Sequence, residues 1–427
     1  RTPSSAGNRR TWTISTWVKK ASDAVSIFSA WYADSTVGHF VFRFGYNGSQ
    51  LGWSQWSNDS YSTRLFRDPS AWYHLVLAVD TTQATANNRI KMYVNGVQET
   101  SFSVGAVYPS QNEELPVNNN NKQVIGANSY SSTAEYFNGS MSHFHFIDGT
   151  AYDASYFGET DATTGEWKIK TSPSVTYGTN GFFILKDGNS VTDQSGNGNN
   201  FTVAGGTLTS TKDCPSNVFA TWNILDSHYF WGAAESSWCT NGNTTARTGN
   251  SQYSSCTATL GASSGKYYWE FKYVAKSGSD NLWHLGIKST QDTATTTALG
   301  VNSTDYAYKA YNGQSMSDNS SSAYGSTYAV GDIIGIAMDL DNNKLYFSKN
   351  GTWQNSGVPT SGSTGTGAIS IAAASTTEFG VYVPAFSWND GSSYGTNSVN
   401  FGNGFFGTSA VADNSTATAS TPGTFNY

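Results

Sequence analysis

Three stretches bring together side chains that could do chemistry. "ETDATTGE" offers Glu159, Asp161 and Glu166. A retaining glycosidase needs two carboxyl groups about 5 to 5.5 Å apart, and on a strand acids at i and i+2 share a face. Glu159 and Asp161 meet that condition, but the "TTG" that follows turns the chain and takes Glu166 out of the row. The stretch reads as solvated turn acids, with a glucanase-like glycoside hydrolase as the alternative. "HFHF" sets His143 and His145 on one strand face and Phe144 and Phe146 on the other. Two aligned imidazoles can hold a metal, but no acid or cysteine at ligand spacing completes a set. The phenylalanines are therefore expected in a core and the histidines on an outer or concave sheet surface. "DQSGNGNN" (193–200) alternates oxygen side chains around two glycines in the manner of a calcium loop. It lacks the acid density and closing glutamate of such a loop and reads as a turn. There is no nucleophile elbow, Ser-His-Asp signature or phosphate-cradling glycine loop, so neither catalysis nor a cofactor is expected.

Aromatic residues are the remaining chemical signal. Trp53 and Trp56 in "GWSQWSNDSYS", Trp238 in "ESSWCTNG" and Trp388 in "SWNDGSSYG" sit among polar neighbours. Flat rings beside amides and acids suit sugar faces, since the ring packs on C–H groups while polar groups take hydroxyls. These four tryptophans, with His143 and His145, are the candidate ligand-binding residues. Tryptophan is also ordinary filling for a β-sandwich core.

The elements that must position these residues are strands. From 11 to 150 the sequence reads "TWTISTWVKK", "HFVFRFGY", "WYHLVLAVD", "IKMYVNGVQ", "KQVIGA" and "SHFHFIDG", without helical periodicity. "WYHLVLAV" is apolar on both faces, as a strand covered on both sides should be. In "IKMYVNGVQ", Met92 and Val94 alternate with Lys91 and Tyr93, and Asn95-Gly96 supplies the positive φ of a two-residue hairpin. Residues 151–215 are turn-rich, and "NNNN" at 118–121 reads as a loop tip. Strand patterns return in "GKYYWEFKYV", "LWHLGIKS", "GDIIGIAMDLD", "NKLYFSKNG", "FGVYVPAFSW" and "SVNFG". "DNNKLYFSKNG" repeats the phrase "NNRIKMYVNGVQ" about 250 positions later: a doubly apolar strand, a polar reversal and an Asn-Gly hairpin. A two-sheet sandwich uses this where an inner strand hands over to a hairpin in the opposing edge.

Composition bounds the function. At roughly 150 residues per domain, 427 residues imply two units. Only 12% of residues are charged and the net charge is -7, with no Lys/Arg cluster, which argues against a phosphate-backbone partner and hence nucleic acid. The longest apolar runs, "HLVLAV" and "IIGIAM", fall far short of the ~20 residues of a spanning helix, so no membrane insertion is expected. Cys214, Cys239 and Cys256 cannot all pair and match no metal spacing; they read as small thiols rather than as a Cys239–Cys256 bridge. Asn-Gly-Ser at 47–49 and 138–140 and Asn-Asp-Ser at 58–60 match glycosylation acceptors, as chance allows in so Asn- and Ser-rich a chain.

"WTISTWVKK", "AWYHLVLAVD", "IKMYVNGVQ" and "YFNGSMSHFHFIDG", in that order, resemble the laminin-G-like, concanavalin A-like jelly roll over residues 1–170. "GKYYWEF", "HLGI", "GDIIGIAMDLDNNKLYFSKNG", "YVPAFSW" and "VNFG" resemble the SPRY domain, a bent β-sandwich, over 218–404. The expected organisation is all-β: the jelly roll, an irregular connector at 171–217, the SPRY-like sandwich, and an extended tail at 405–427. The connecting phrases "RTPSSAGNRRTWT", "FRDPSAWYHLVL", "HFIDGTAY", "YGTNGF" and "DQSGNGNN" are similar to those of structural proteins of marine bacteriophages, including tail-associated and fibre-like proteins. In that family the phrases continue at both ends, and this chain begins at Arg1 without a methionine, so an excerpt is expected. The resemblance implies a virion-surface, extracellular protein that binds a host-surface glycan or protein, or neighbouring virion subunits, with no chemical step. It further implies a calcium ion at a jelly-roll rim as a familial option, and a homo-oligomer of the kind fibres form, although no heptad stretch supports one.

Overall fold

The computed structural model describes residues 1–31, 38–45, 49–55, 58–129, 135–186, 188, 190–228, 238–249, 254–279, 281–290, 298–388 and 393–411. The chain divides into two compact units, Arg1–Val218 and Phe219–Tyr427.

The first unit has two antiparallel sheets, each of six described strands. Sheet A runs, in spatial order, Phe182–Ile184, Gly139–Asp148, Thr11–Lys20, Tyr73–Asp80, Ile90–Val94 and Val97–Glu99. Sheet B runs Lys122–Ile125, Ser26–Trp31, His39–Phe44, Gln50–Gln55, Asn58–Leu65 and Phe102–Val104. Period-two alternation sends Trp12, Ile14 and Val18, Leu75, Leu77 and Val79, and Met92 and Val94 inward from sheet A, against Phe28, Phe40, Phe42 and Trp53 of sheet B. The Tyr73–Asp80 strand is buried on both faces, as its sequence anticipated, because a second apolar layer with Val76, Ile147, Ala154 and Phe157 covers the outer face of sheet A.

Residues 171–218 belong to this first unit and not to a free connector. The Phe182–Ile184 strand pairs with Phe144–Phe146, and the buried Lys19 ammonium meets Asp213 at 2.7 Å while the Trp72 indole donates to the same carboxylate at 3.0 Å. The connecting phrases converge on Asp148. Its Oδ1 accepts the Asn8 backbone N–H at 2.8 Å and the Asn118 amide at 2.6 Å, and its Oδ2 accepts the Asn180 N–H at 3.0 Å. A Cβ on Gly7 would lie 2.5 Å from Asp148 Oδ2, so only glycine passes there. Asn118, Asn119 and Asn121 are consequently buried, and "NNNN" is an inner knot, not a loop tip. Amides taken out of water need partners: the Asn118 amide donates to the Asn8 carbonyl and to Asp148 and its Oδ1 accepts from Asn180, and Asn121 Oδ1 accepts from Gln123, while Asn121 Nδ2 is buried without a hydrogen-bond partner among the described residues.

The second unit is another sandwich. Sheet C runs Trp222–His228, Ser254–Ala258, Val383–Trp388, Trp283–Lys288, Tyr306–Lys309, Gln314–Ser317 and Ser320–Ala323. Sheet D runs Cys239–Thr240, Thr245–Arg247, Gly395–Asn400, Lys266–Lys276, Ile333–Asp339, Lys344–Lys349 and Thr352–Trp353, with Ile369–Ser370 beside Lys344–Lys349. Trp269, Phe271 and Tyr273 of sheet D face Trp283, Leu285, Phe386 and Trp388 of sheet C. In both units the Asn-Gly hairpin strand lies beside its own inner strand in the same sheet, not in the opposing one: Leu75–Val79 pairs with Ile90–Val94, and Ile334–Asp339 with Lys344–Lys349. The polar reversals at 81–89 and 340–343 fold each hairpin strand back antiparallel onto its inner strand.

Candidate recognition surfaces

Trp53 and Trp388 are fully buried, and Trp238 is 6% exposed within the second core. A ring with no free face cannot stack on a sugar, so these three are packing residues and not ligand contacts. Trp53 stands directly opposite Phe42 on the core side, and its polar neighbours Gly52 and Ser54 belong to the other face of the strand. Trp388 packs on Trp283 with ring centroids 4.9 Å apart. Trp56 lies outside the described residues.

The two histidines do not share a simple face. A bulge falls in the strand where the partner register jumps from His145 opposite Ser15 to Ser142 opposite Trp17, and His143 takes φ +50°. Phe144 and Phe146 fill the core as expected. His145 is buried on the outer side of sheet A, stacked on Phe183 at 3.9 Å and bonded through Nδ1 to the Tyr177 hydroxyl at 2.8 Å. Burial holds its pKa well below the usual imidazole value, with His143 adding to the effect.

The same outer face holds Ser15 and His74, 2.9 Å apart, a pair that resembles a nucleophile and its base. The Trp167 indole N–H donates to His74 Nδ1 at 3.0 Å. An indole is only a donor, so Nδ1 carries the lone pair, and His74 Nε2–H must donate to Ser15 Oγ. A base would need that lone pair on Nε2 to take the serine proton. Full burial lowers the His74 pKa to about 3, and the pair is structural.

Glu159 and Asp161 lie on the exposed hairpin of Gly158–Thr160 with Trp167–Ile169. Lys168 Nζ sits 3.5 Å from Glu159 and 3.3 Å from Asp161. Backbone N–H groups of Thr164 and Thr163, then Lys168, bring the Asp161 pKa down to about 2. An acid that holds its proton so weakly is a poor general acid. Glu166 lies past the turn, its carbonyl accepting the Asp161 N–H. Asp193 spends both oxygens on the chain: Oδ1 accepts the N–H of Phe183 and Ser195, and Oδ2 accepts the Ser195 hydroxyl and the Asn199 N–H. It clamps a turn. Among the described residues no three His, Cys, Asp or Glu side chains gather as a metal site.

Sequence reasoning missed a charged knot on the outer face of sheet B, because its members are up to 92 positions apart. Arg43 donates from Nε to Tyr61 at 2.8 Å, from Nη1 to Glu135 at 2.7 Å and from Nη2 to Asp59 at 3.4 Å. Glu135 also accepts from Ser26 and Asn128. The only hint was one arginine in an otherwise apolar "HFVFRFGY". Half-buried Trp31 and His39 stand opposite each other in the same sheet, His39 with its pKa lowered by burial and then by Arg43. In the second unit, half-buried Tyr268 and Trp353 meet edge to face at 6.3 Å above the fully buried Glu270, which accepts from the Tyr268 hydroxyl and from the Asn400 amide.

Two all-β sandwiches with half-exposed aromatics on their faces define the class, and comparison with known proteins gives the families. Residues 1–155 match the Concanavalin A-like lectin/glucanases superfamily and residues 266–400 the SPRY domain. The chain therefore joins a concanavalin A-like, laminin-G-like domain to a SPRY domain. It is 34% identical over 91 residues to Ran-binding protein 9 and 35% identical to Ran-binding protein 10, both of Danio rerio, each match covering 21% of this chain and 15% of that protein. It is 35% identical to human Ran-binding protein 9 over 12% of that protein. The chain thus spans only a small part of the curated relatives it matches. Among solved structures it is similar to the SPRY domain of human HERC1, with 16% identity, 42% of this chain and 96% of that chain covered, and a TM-score of 0.32. Both domains are of binding and protein-interaction type.

Proposed function

We propose that the chain is a virion-surface recognition protein that holds host-surface glycans or neighbouring virion proteins by contact, without a chemical step. The observation that carries the reading is a contrast. The groups that could do chemistry are engaged internally: Glu159 and Asp161 with Lys168, Asp59 and Glu135 with Arg43, and Ser15 with a histidine in the wrong tautomer. The half-exposed rings, by contrast, stand on strand faces beside polar side chains, an arrangement suited to binding. The SPRY domain supports a protein partner as well, since the relatives it resembles are named for binding Ran. The virion setting comes from the likeness of the connecting phrases. A glycan array on the intact chain, with and without calcium, tests the glycan arm: saturable binding is expected, and silence on every glycan in both conditions would leave only protein assembly. The hydrolase alternative predicts reducing ends released from a β-glucan and abolished by Glu159→Gln; no release is expected.

A further inference from the structure

The strand register of sheet D lays out rows of side chains on its outer face. Asn400, Glu270, Gly335, Ser348 and Trp353 stand opposite one another in turn across adjacent strands. Two residues along lie Tyr268, Ala337 and Tyr346, and two further on Lys266, Asp339 and Lys344. The alternate residues Trp269, Phe271, Ile334, Ile336 and Phe347 fill the core, so these rows point outward. Asn400, Glu270, Ser348 and Tyr346 are nevertheless buried, whereas Tyr268 and Trp353 are half-buried. Between the lysines and the buried row, solvent meets two rings.

Both rings are held from behind. A Cβ on Gly335 would lie 2.5 Å from Tyr268 Oη and 3.0 Å from its Cε2, so the phenol lies across the glycine and only glycine gives it room. Its hydroxyl donates to Glu270 Oε1 at 3.2 Å, Glu270 Oε2 accepts the Asn400 amide at 3.0 Å, and Asn400 Oδ1 accepts the N–H of Gly402 and Gly404. Trp353 backs onto Tyr346 edge to face at 6.4 Å and meets Tyr268 at 6.3 Å with planes inclined at 66°. Two rings set in this way form a corner, one for the face of a flat ligand and one for its edge, and pre-set rings lose little entropy on binding. The rim is polar: Lys266 Nζ lies 2.7 Å from Asp339, Lys344 donates to Ser370 Oγ at 3.0 Å, and the Trp353 indole N–H takes part in no hydrogen bond among the described residues. Lysine and aspartate are depleted from the cores of protein interfaces, whereas a ring on a C–H face with donors and acceptors around it suits a pyranose. We propose that Tyr268 and Trp353, rimmed by Lys266, Asp339 and Lys344, form a carbohydrate-binding corner on the second unit, with a pyranose of a polysaccharide packed on Tyr268 and flanked by Trp353. The proposal rests on the recognition reading above and seats the glycan outside the concanavalin A-like domain.

The test is electrophoresis of the intact chain through gels containing laminarin, dextran, galactomannan or alginate, beside titration with poly-L-proline, which also docks on aromatic rings. Retardation by at least one polysaccharide, and no binding of poly-L-proline, are expected. Trp353→Ala and Tyr268→Ala should each weaken retardation about tenfold. Tyr268→Phe, which keeps the ring and loses only the hydroxyl, should weaken it about two- to three-fold. Tyr311→Ala, an exposed tyrosine beside sheet C, should leave it unchanged. Thermal melting confirms that each variant is folded, and if Trp353→Ala does not fold, Tyr268→Ala against Tyr268→Phe decides. Undiminished retardation of the alanine variants overturns the assignment while glycan recognition stands. Poly-L-proline bound by the parent and lost in Trp353→Ala overturns the sugar in favour of a peptide, and no retardation by any gel overturns both the assignment and the glycan arm.

Discussion

The two Asn-Gly hairpins are built alike to the level of single bonds. Asn95 donates its N–H to the His74 carbonyl at 2.9 Å while its Oδ1 accepts the His74 N–H at 2.8 Å. Asn350 does the same with Ile333, both at 2.8 Å. The φ values are 47° and 82° at Asn95-Gly96 and 48° and 79° at Asn350-Gly351. What differs is what lies outside the turn. Gly96 and Gly158 face the Trp167 indole, whose atoms would stand 2.5 to 2.8 Å from a Cβ on either glycine, so this hairpin seats an aromatic cover over buried His74. Asn350 instead donates to Asp332 at 2.7 Å, beside the Lys349–Asp332 ion pair at 3.1 Å. One local device serves a dry layer in the first unit and a solvated charge pair in the second.

The largest way to sharpen the contrast is acid. His74, held at about 3, and His145, also lowered, are buried neutral in the first unit, and His284, at about 4, in the second. A lowered folded value leaves the unfolded chain binding more protons, so stability is full above the unfolded pKa near 6.5 and falls as pH drops toward the folded value. At pH 5 a buried histidine held at 3 to 4 costs about 2 kcal/mol, and the first unit, with His145 lowered beside His74, should lose more than the second. Hydrogen exchange by mass spectrometry, read separately in the two units at pH 7 and 5, checks this. Equal loss in both would refute it.

Next comes glycine. Gly96→Ala should cost roughly 3 kcal/mol, left-handed strain plus displacement of the Trp167 ring, against about 1 to 2 kcal/mol of strain for Gly351→Ala. Denaturant midpoints decide, and equal costs would mean the indole is not seated on Gly96. Asn95→Gly and Asn350→Gly keep the turn but remove the acceptor of a strand-initial N–H. Each should cost about 1 to 2 kcal/mol, with Asn350→Gly the larger by a few tenths for its lost bond to Asp332. A difference several times greater would show the two turns are not the same device.

These turns were legible in the sequence because everything that makes them is local: two residues with positive φ and an apolar alternation on either side. The same locality exposed the doubly buried Tyr73–Asp80 and Ile333–Asp339 strands. It failed where partners are remote. The Arg43 knot draws on Asp59 and Glu135, and the Asp148 hub on Asn8, Asn118 and Asn180, so buried asparagines looked like a loop tip. Trp53 misled because polar neighbours in sequence were taken as its surroundings, when on a strand they point the other way. The bulge at His143 went unread although histidine is among the residues enriched at positive φ, because the alternation of "HFHF" alone suggested a regular strand.

The smallest effect separates the charges outside the two turns. Lys349 is 27% exposed against a 19% exposed Asp332, and it also donates to the Thr327 carbonyl at 2.8 Å. Lys168 is 47% exposed between two acids that are themselves open to water. Exposed pairs in high dielectric gain little, and salt screens what they gain. Lys349→Ala should therefore cost about 0.5 to 1 kcal/mol, because a carbonyl loses its donor along with the ion pair. Lys168→Ala should leave the denaturant midpoint almost unmoved, and any loss should vanish in 1 M salt, where the screening length shrinks to about 3 Å. If Lys168→Ala is the more damaging, the Gly158–Thr160 hairpin depends on its charges to stay over His74. The dry layer of the first unit would then rest on electrostatics after all.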